Sequence, residues 1–425
     1  MLTPEIQNAY TAILREELVP ATGCTEPIAV AYAAAKLRAI LGAMPERVLA
    51  EVSGNILKNV KSVVVPNTGG LKGVKAAIAA GIVAGEADAE LQVISSIPAE
   101  RHGDIAAYIN DTPIEITCPE TPRLLDIRLT GWVGGSKAVV HIANNHSNIV
   151  YMEKDGAVLL EKPLTASAED GLTDKSILNL KDILTYANEV ELSQVTELLD
   201  RQIQYNSAIA EEGLKGNWGA NIGSTLLKEY GNDIKVEAKA WAAAGSDARM
   251  SGCEMPVVIV SGSGNQGMTA SLPVIRYAKH LGAAQEQLYR ALLVSDLVTV
   301  YQKAGIGRLS AYCGAISAGV GAGAAIAYLH GAGYEAIAHT IVNAVAILSG
   351  TICDGAKPSC AAKIAAGVDA GILGYQMYLS GDNFQGGDGI VGSDVAKTVA
   401  NVGVLARQGM QGTDRTILSI MTQED

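Results

Sequence analysis

Two cysteines stand seven residues apart in Gly350-Thr-Ile-Cys353-Asp-Gly-Ala-Lys-Pro-Ser-Cys360, on either side of a Gly/Pro turn. The apolar run 336–349 reads as a helix that stops at Gly350, and a second helical pattern starts after Pro358. Each thiol therefore lies where a buried helix meets a short loop. Cys313 precedes another Gly/Ala-rich helical run, forty residues before Cys353. A helix N-terminus favours thiolate over thiol, and thiolate is the form that binds soft metals. Three such thiols suit a metal cluster. They equally suit small buried hydrophobes, the common fate of unpaired cysteine, and C-x6-C matches no standard zinc or ferredoxin spacing.

Other loops carry chemistry of their own. Cys24 sits in Pro20-Ala-Thr22-Gly23-Cys24-Thr25-Glu26-Pro27, just before a long Ala-rich helix. Helix capping by Thr22 or Thr25 explains the threonines and leaves the cysteine unexplained. Ser261-Gly-Ser263-Gly264-Asn265-Gln266-Gly267 follows the short apolar run 257–260 and opens a helix. Backbone N–H groups, hydroxyls and two side-chain amides converge there, which suits an amino-acid carboxylate, with Arg249 as a further partner. The loop has GxGxxG spacing, but no alternating β/α series surrounds it, which argues against a nicotinamide-binding domain. Pro66-Asn67-Thr68-Gly69-Gly70-Leu-Lys-Gly73 also leads into a helix and lacks the GxxxxGK[ST] pattern. It reads as a plain turn, or as a substrate-carboxylate contact through Asn67 and Thr68. His141 and His146, near three asparagines at a strand end, read as a solvated hairpin.

Composition narrows the classes. The 425 residues carry a formal charge of −12, which argues against nucleic acid and anionic membrane as partners. Residues 1–17 have no apolar h-region, and the apolar run 315–329 is short and Gly-rich, a buried helix rather than a span. With six cysteines in so long a chain and no export signal, the thiols are expected reduced, in the cytoplasm. There are 46 glycines and one Phe, Phe384, so cores must be built from Ala, Val, Ile and Leu with backbones packed closely.

The elements that position these loops follow from periodicity. Residues 3–18 read as an amphipathic helix with Thr3 as N-cap and Pro4 at its first position. Strands are expected at 48–56, 61–65, 90–97, 114–117, 124–129, 138–142 and 149–152, with helices at 73–85 and 99–109. Cys118 falls on a strand of this part, remote from the other thiols. From about residue 175 the pattern is helical: 174–199, 200–210, 238–248, a helix from the Ser261 loop to 280, then 285–301, 310–329, 334–348, 360–373 and 393–407. The fold class is α+β. A large, Gly/Ala-rich helical domain (1–45 and 166–425) is interrupted by an inserted, mainly antiparallel α+β domain (46–165). That connectivity brings Cys24 back toward the C-terminal cysteines.

Taken together, Thr22-Gly23-Cys24-Thr25-Glu26-Pro27, Ser261–Gly267, and Cys313 with Cys353-x6-Cys360 resemble the L-cysteine desulfidase family, which is related to the α chain of iron–sulfur L-serine dehydratases. The resemblance runs nearly end to end. It implies a [4Fe-4S] cluster held by Cys313, Cys353 and Cys360, with one iron left open as a Lewis acid. It places Cys24 as the base that removes the substrate α-proton. The residues' own chemistry adds Glu26 to orient Cys24 or relay its proton, and Ser263, Asn265, Gln266, Arg249, Asn67 and Thr68 as substrate contacts. The implied reaction is α,β-elimination of L-cysteine to pyruvate, ammonia and sulfide, or of L-serine by the same mechanism, with a homodimer as the expected assembly. Some serine dehydratase relatives end in a cysteine that can occupy the open iron; this chain ends Met421-Thr-Gln-Glu-Asp425, which leans toward the desulfidase branch. A non-catalytic amino-acid-binding protein would have no use for Cys24. A pyridoxal phosphate enzyme would need a Schiff-base lysine, and Lys58, Lys61, Lys72 and Lys357 sit in no such pattern.

Overall fold

The computed structural model describes residues 2–164, 172–307 and 309–422. The expected domain boundary at 165/166 and residues 423–425 lie outside the described residues.

Thr3 caps α1 (Pro4–Glu17), its Oγ1 accepting the Ile6 N–H, and Pro4 occupies a first-turn position that needs no donor. Then follow β1 (Pro20–Thr22), α2 (Thr25–Leu41), β2 (Arg47–Val52), α3 (Gly54–Val60), α4 (Gly73–Ala84) and α5 (His102–Asp111). The strands β3 (Ile114–Thr117), β4 (Asp126–Val133), β5 (Ser136–Ala143), β6 (Ile149–Lys154) and β7 (Ala157–Glu161) complete a sheet of order β3-β2-β4-β5-β6-β7. Among the described residues only β2 and β3 run parallel; a crossover through three helices makes that possible. Along β2, Val48, Ala50 and Val52 point inward and are fully buried, which fixes the register. The class is α+β, as the alternating and helical periodicities require.

The expected strands at 61–65 and 90–97 are absent. Val63 and Val65 are buried, but their segment makes only one bridge, Val64 to Lys72. Val93 and Ile94 are buried in a chain of tight turns. The strand expected over 48–56 stops at Val52, because Ser53 opens α3.

The helical part comprises α6 (Leu180–Glu189), α7 (Thr196–Leu214), α8 (Ile222–Tyr230), α9 (Ile234–Met250), the short β8 (Pro256–Val258), α10 (Gly264–Leu281), α11 (Gln285–Ile306), α12 (Gly314–Leu329), α13 (Tyr334–Leu348), α14 (Cys360–Ser380), α15 (Val395–Val404) and α16 (Gln411–Thr422). Among the described residues no helix is long and apolar enough to cross a membrane.

Two hydrophobic cores result. One joins α1 to α6, α7 and α9–α15. The other joins the sheet to α2, α4 and α5, so α2 packs on the sheet rather than in the helical bundle. Small residues set the spacing in both. A Cβ on Gly81 would stand 2.1 Å from the Ala31 carbonyl oxygen, and one on Gly319 would stand 2.3 Å from the Gly367 backbone. The pairs Gly319/Gly367 and Gly323/Gly371 advance together, so α12 and α14 run parallel and in register. Their N-termini therefore emerge at the same end of the bundle.

Candidate functional site

That shared end presents the thiols. Cys313 is the N-cap of α12 and Cys360 the first residue of α14. A single antiparallel bridge, Tyr312 to Ile352, brings in Cys353: the Cys313 N–H donates to Thr351 O (3.0 Å) and the Cys353 N–H to Ala311 O (2.6 Å). Burial pushes the Cys313 thiol up to about 12, with Cys353 and Cys360 adding to the rise. Burial also raises Cys360, and Cys353 adds to it. The helix termini therefore do not make these two groups thiolates by themselves; desolvation outweighs them. Lys363 opposes part of that rise from the second turn of α14, where its Nζ bonds Ile352 O and Asp354.

Cys24 reaches this place through β1. Pairing of β1 with β8, Pro20 to Val258 and Thr22 to Pro256, lays the Cys24 loop against the Ser261 loop. The Thr25 hydroxyl, expected as a helix cap, donates instead to Gly262 O (3.0 Å) and Glu26 Oε2 (3.2 Å). Cys24 itself holds the N-cap position without capping. Its thiol donates to Glu26 Oε2 at 3.0 Å, and Asn59 Nδ2 of α3 donates to Oε1 at 3.1 Å. Burial drives the Cys24 thiol well above its usual range and the Glu26 charge drives it further. Glu26 moves down: burial alone would raise it, but His146, the Cys24 thiol and Arg249 hold it ionised. The pair rests as thiol and carboxylate, not as the thiolate a helix start would suggest.

Cys24, Glu26, Arg249, Ser263, Asn265, Gln266 and Cys353 line one cavity of about 100 Å³. Cys313 and Cys360 are not in that lining. Arg249 is 2% exposed; its Nη1 donates to Asn265 Oδ1 (3.2 Å), and its Nε has no partner among the described residues. Gln266 is buried, with Oε1 unpartnered among the described residues. Two glycines make room for these side chains: a Cβ on Gly264 would stand 2.5 Å from Arg249 Nε, and one on Gly314 2.6 Å from Gln266. No side chain caps α10 at Ser263, so its first N–H groups face the cavity end uncapped.

Asn67 and Thr68 do not join this lining. Asn67 Nδ2 donates to Ile94 O (2.9 Å) and Thr68 Oγ1 to Val65 O (2.7 Å), so both hold their own loop. That loop supports the site from behind: Gly23, at φ +71°, lies where a Cβ would stand 2.3 Å from Pro66.

Sequence reasoning missed Asn59, His146 and Lys303, which also line the cavity. His146 is buried, not solvated, and His141 is buried against Asp126 in the sheet. Asn59 and Lys303 lie on helices, where no turn or motif marks them. Cys118 follows β3 and is exposed, lining a different groove. Among the described residues, no three of His, Cys, Asp and Glu are spaced to hold a single metal ion.

A family model described as the serine dehydratase alpha chain matches residues 74–419. A UPF0597 protein of Desulfitobacterium hafniense is 57% identical over 417 residues, covering 98% of this chain and 97% of its own. A UPF0597 protein of Treponema denticola is 47% identical, covering 98% of each chain. One from Oleidesulfovibrio alaskensis is 37% identical over the full length of both.

Proposed function

Because this chain belongs to the serine dehydratase alpha chain family, we propose that it is an iron–sulfur lyase that eliminates sulfide from L-cysteine. L-cysteine and water become pyruvate, ammonia and hydrogen sulfide. The observation that carries the reading is the Cys24–Glu26 pair facing Cys353 across a cavity of about 100 Å³ that also holds a buried arginine.

The thiols fit a cluster. Cys313 and Cys360 are raised by burial and by Cys353, and a cationic iron centre reverses that penalty, since metal ligation deprotonates thiols. Cys313, Cys353 and Cys360 would hold it, and the bound cluster would supply Lewis acidity toward the substrate.

The remaining work belongs to this chain's own residues. Arg249, Asn265 and the uncapped start of α10 hold the substrate carboxylate, a charge-assisted contact worth about 1.5–3 kcal/mol. The α-proton passes to Cys24 Sγ while the thiol proton passes to Glu26 Oε2, 3.0 Å away. This transfer needs no standing thiolate. The electron pair left on Cα forms the Cα=Cβ bond as the Cβ–S bond breaks, and the sulfur leaves as HS⁻. The resulting aminoacrylate tautomerises to the imine, which water hydrolyses to pyruvate and ammonia. Cys24 also packs with Val63, Met250, Ala356 and Cys360, an apolar setting that suits a thiol-bearing substrate. L-serine is the second reading, favoured by the description of the matching family.

The test is turnover by anaerobically reconstituted protein, with pyruvate and sulfide measured from L-cysteine and pyruvate from L-serine. Faster elimination of L-cysteine supports the proposal. Faster elimination of L-serine moves it to the second reading, and turnover of neither removes it.

A further inference from the structure

Lys58 is a buried lysine that the reaction does not use. It lies on α3, in the sheet part of the chain, with its side chain 2% exposed. Its Nζ donates to the Cys353 carbonyl oxygen at 3.3 Å and to Asp414 Oδ1 of α16 at 2.5 Å. A buried ammonium is costly unless paired, so this arrangement is a built contact rather than a chance one. Lys363 holds the loop carrying Cys353 at Ile352 O and Asp354, and Lys58 is the side chain that reaches Cys353 itself. Gly350 and Gly355 both take positive φ, and the loop's one bridge is at Ile352.

Cys353 is gripped on both of its main-chain groups. Its N–H goes to Ala311 O on the approach to α12, and its C=O goes to Lys58 Nζ. The backbone of α3 closes on the same loop: a Cβ on Gly355 would stand 2.4 Å from the Lys58 carbonyl oxygen. The next residue, Asn59, holds Glu26 Oε1. One short helix thus braces the carboxylate on one side and the thiol loop on the other. Asp414 and the bond from Lys61 to the Met421 carbonyl tie α16 to that helix.

We propose that Lys58 is a positioning residue for Cys353, fixing the loop through its carbonyl, with Asp414 of the C-terminal helix as the counter-ion that holds the ammonium in place. The cluster role of Cys353 rests on the reading above; the positioning of its loop does not. Outer contacts of metal ligands typically contribute about 10–100-fold in affinity.

The experiment uses the full chain, wild type, Lys58→Met and Asp414→Asn. The metal-free protein is alkylated with iodoacetamide, and labelling of each cysteine is followed by peptide mass spectrometry. Reconstituted protein is challenged with an iron chelator. The expected result is faster labelling of Cys353 relative to Cys313 and Cys253, about tenfold in Lys58→Met and less in Asp414→Asn, with iron lost about 10–100-fold faster. An unchanged ratio in both variants overturns the proposal. So does an equal rise at all buried cysteines, which makes Lys58 a general support of the fold. Asp414 is 21% exposed, so its variant keeps the test alive if Lys58→Met does not fold. Wild-type protein that takes up no iron sinks the cluster reading, and the labelling ratio still decides Lys58.

Discussion

Gly264→Ala separates packing from substrate binding. Gly264 opens α10, and alanine in a helix is ordinarily better than glycine by about 0.5–1 kcal/mol. Here the added Cβ would stand 2.5 Å from Arg249 Nε, 2.9 Å from Arg249 Cζ and 2.6 Å from Val257 Cγ2. Val257 is fully buried and Arg249 nearly so. Overpacking of this kind costs about 1–3 kcal/mol, so the clash outweighs the helix gain. The arginine side chain is the softer neighbour and gives way, breaking its 3.2 Å bond to Asn265. Loss of a charged hydrogen bond to the carboxylate is worth about 1.5–3 kcal/mol, or about 10–150-fold. Steady-state kinetics on L-cysteine should show KM raised by that factor with kcat changed much less, and thermal unfolding should show a lower Tm. A lower Tm with unchanged KM would refute Arg249 as the carboxylate partner.

Cys24→Ala should keep its iron and its substrate affinity and lose about 10²–10⁴-fold in kcat, measured as pyruvate release; loss of iron instead would make Cys24 a ligand. Gly319→Ala forces α12 from α14 against backbone on both sides, so Tm and iron per chain should fall together. Asp296, fully buried against Gln202, is pushed up to about 7 by burial. The unfolded carboxyl titrates near about 4, so folding takes up a proton between those values and stability falls as pH rises through that window. Asp296→Asn should therefore raise Tm more at pH 8 than at pH 4, read by calorimetry; an equal shift at both would contradict the assignment.

Local chemistry was legible where a residue type had no bland explanation. Cys24 amid threonines that could cap without it, and the polar Ser261 loop, both face the cavity. Buried β-branched runs were misleading: 61–65 and 90–97 have strand composition, yet β2 already has partners on both sides and offers them no edge. The exposed strand β7 was invisible for the opposite reason, since Val158 and Leu159 face outward and leave no alternation. Asn67 and Thr68 sat in a loop of the right texture but turned inward to hold it. Asn59 and His146 had no sequence signal, because their role comes from α3 and the β5–β6 turn meeting Glu26 in space. The protonation of the pair was likewise beyond pattern: a helix start argues for thiolate, and only the burial of Cys24 beside a carboxylate reverses it.

The most direct test is the rate of pyruvate and sulfide release from L-cysteine as a function of bound iron per chain, under anaerobic reconstitution. The rate should rise with iron and level at about four irons per chain. Full turnover by iron-free protein would contradict it, as would iron-loaded protein that leaves both L-cysteine and L-serine intact.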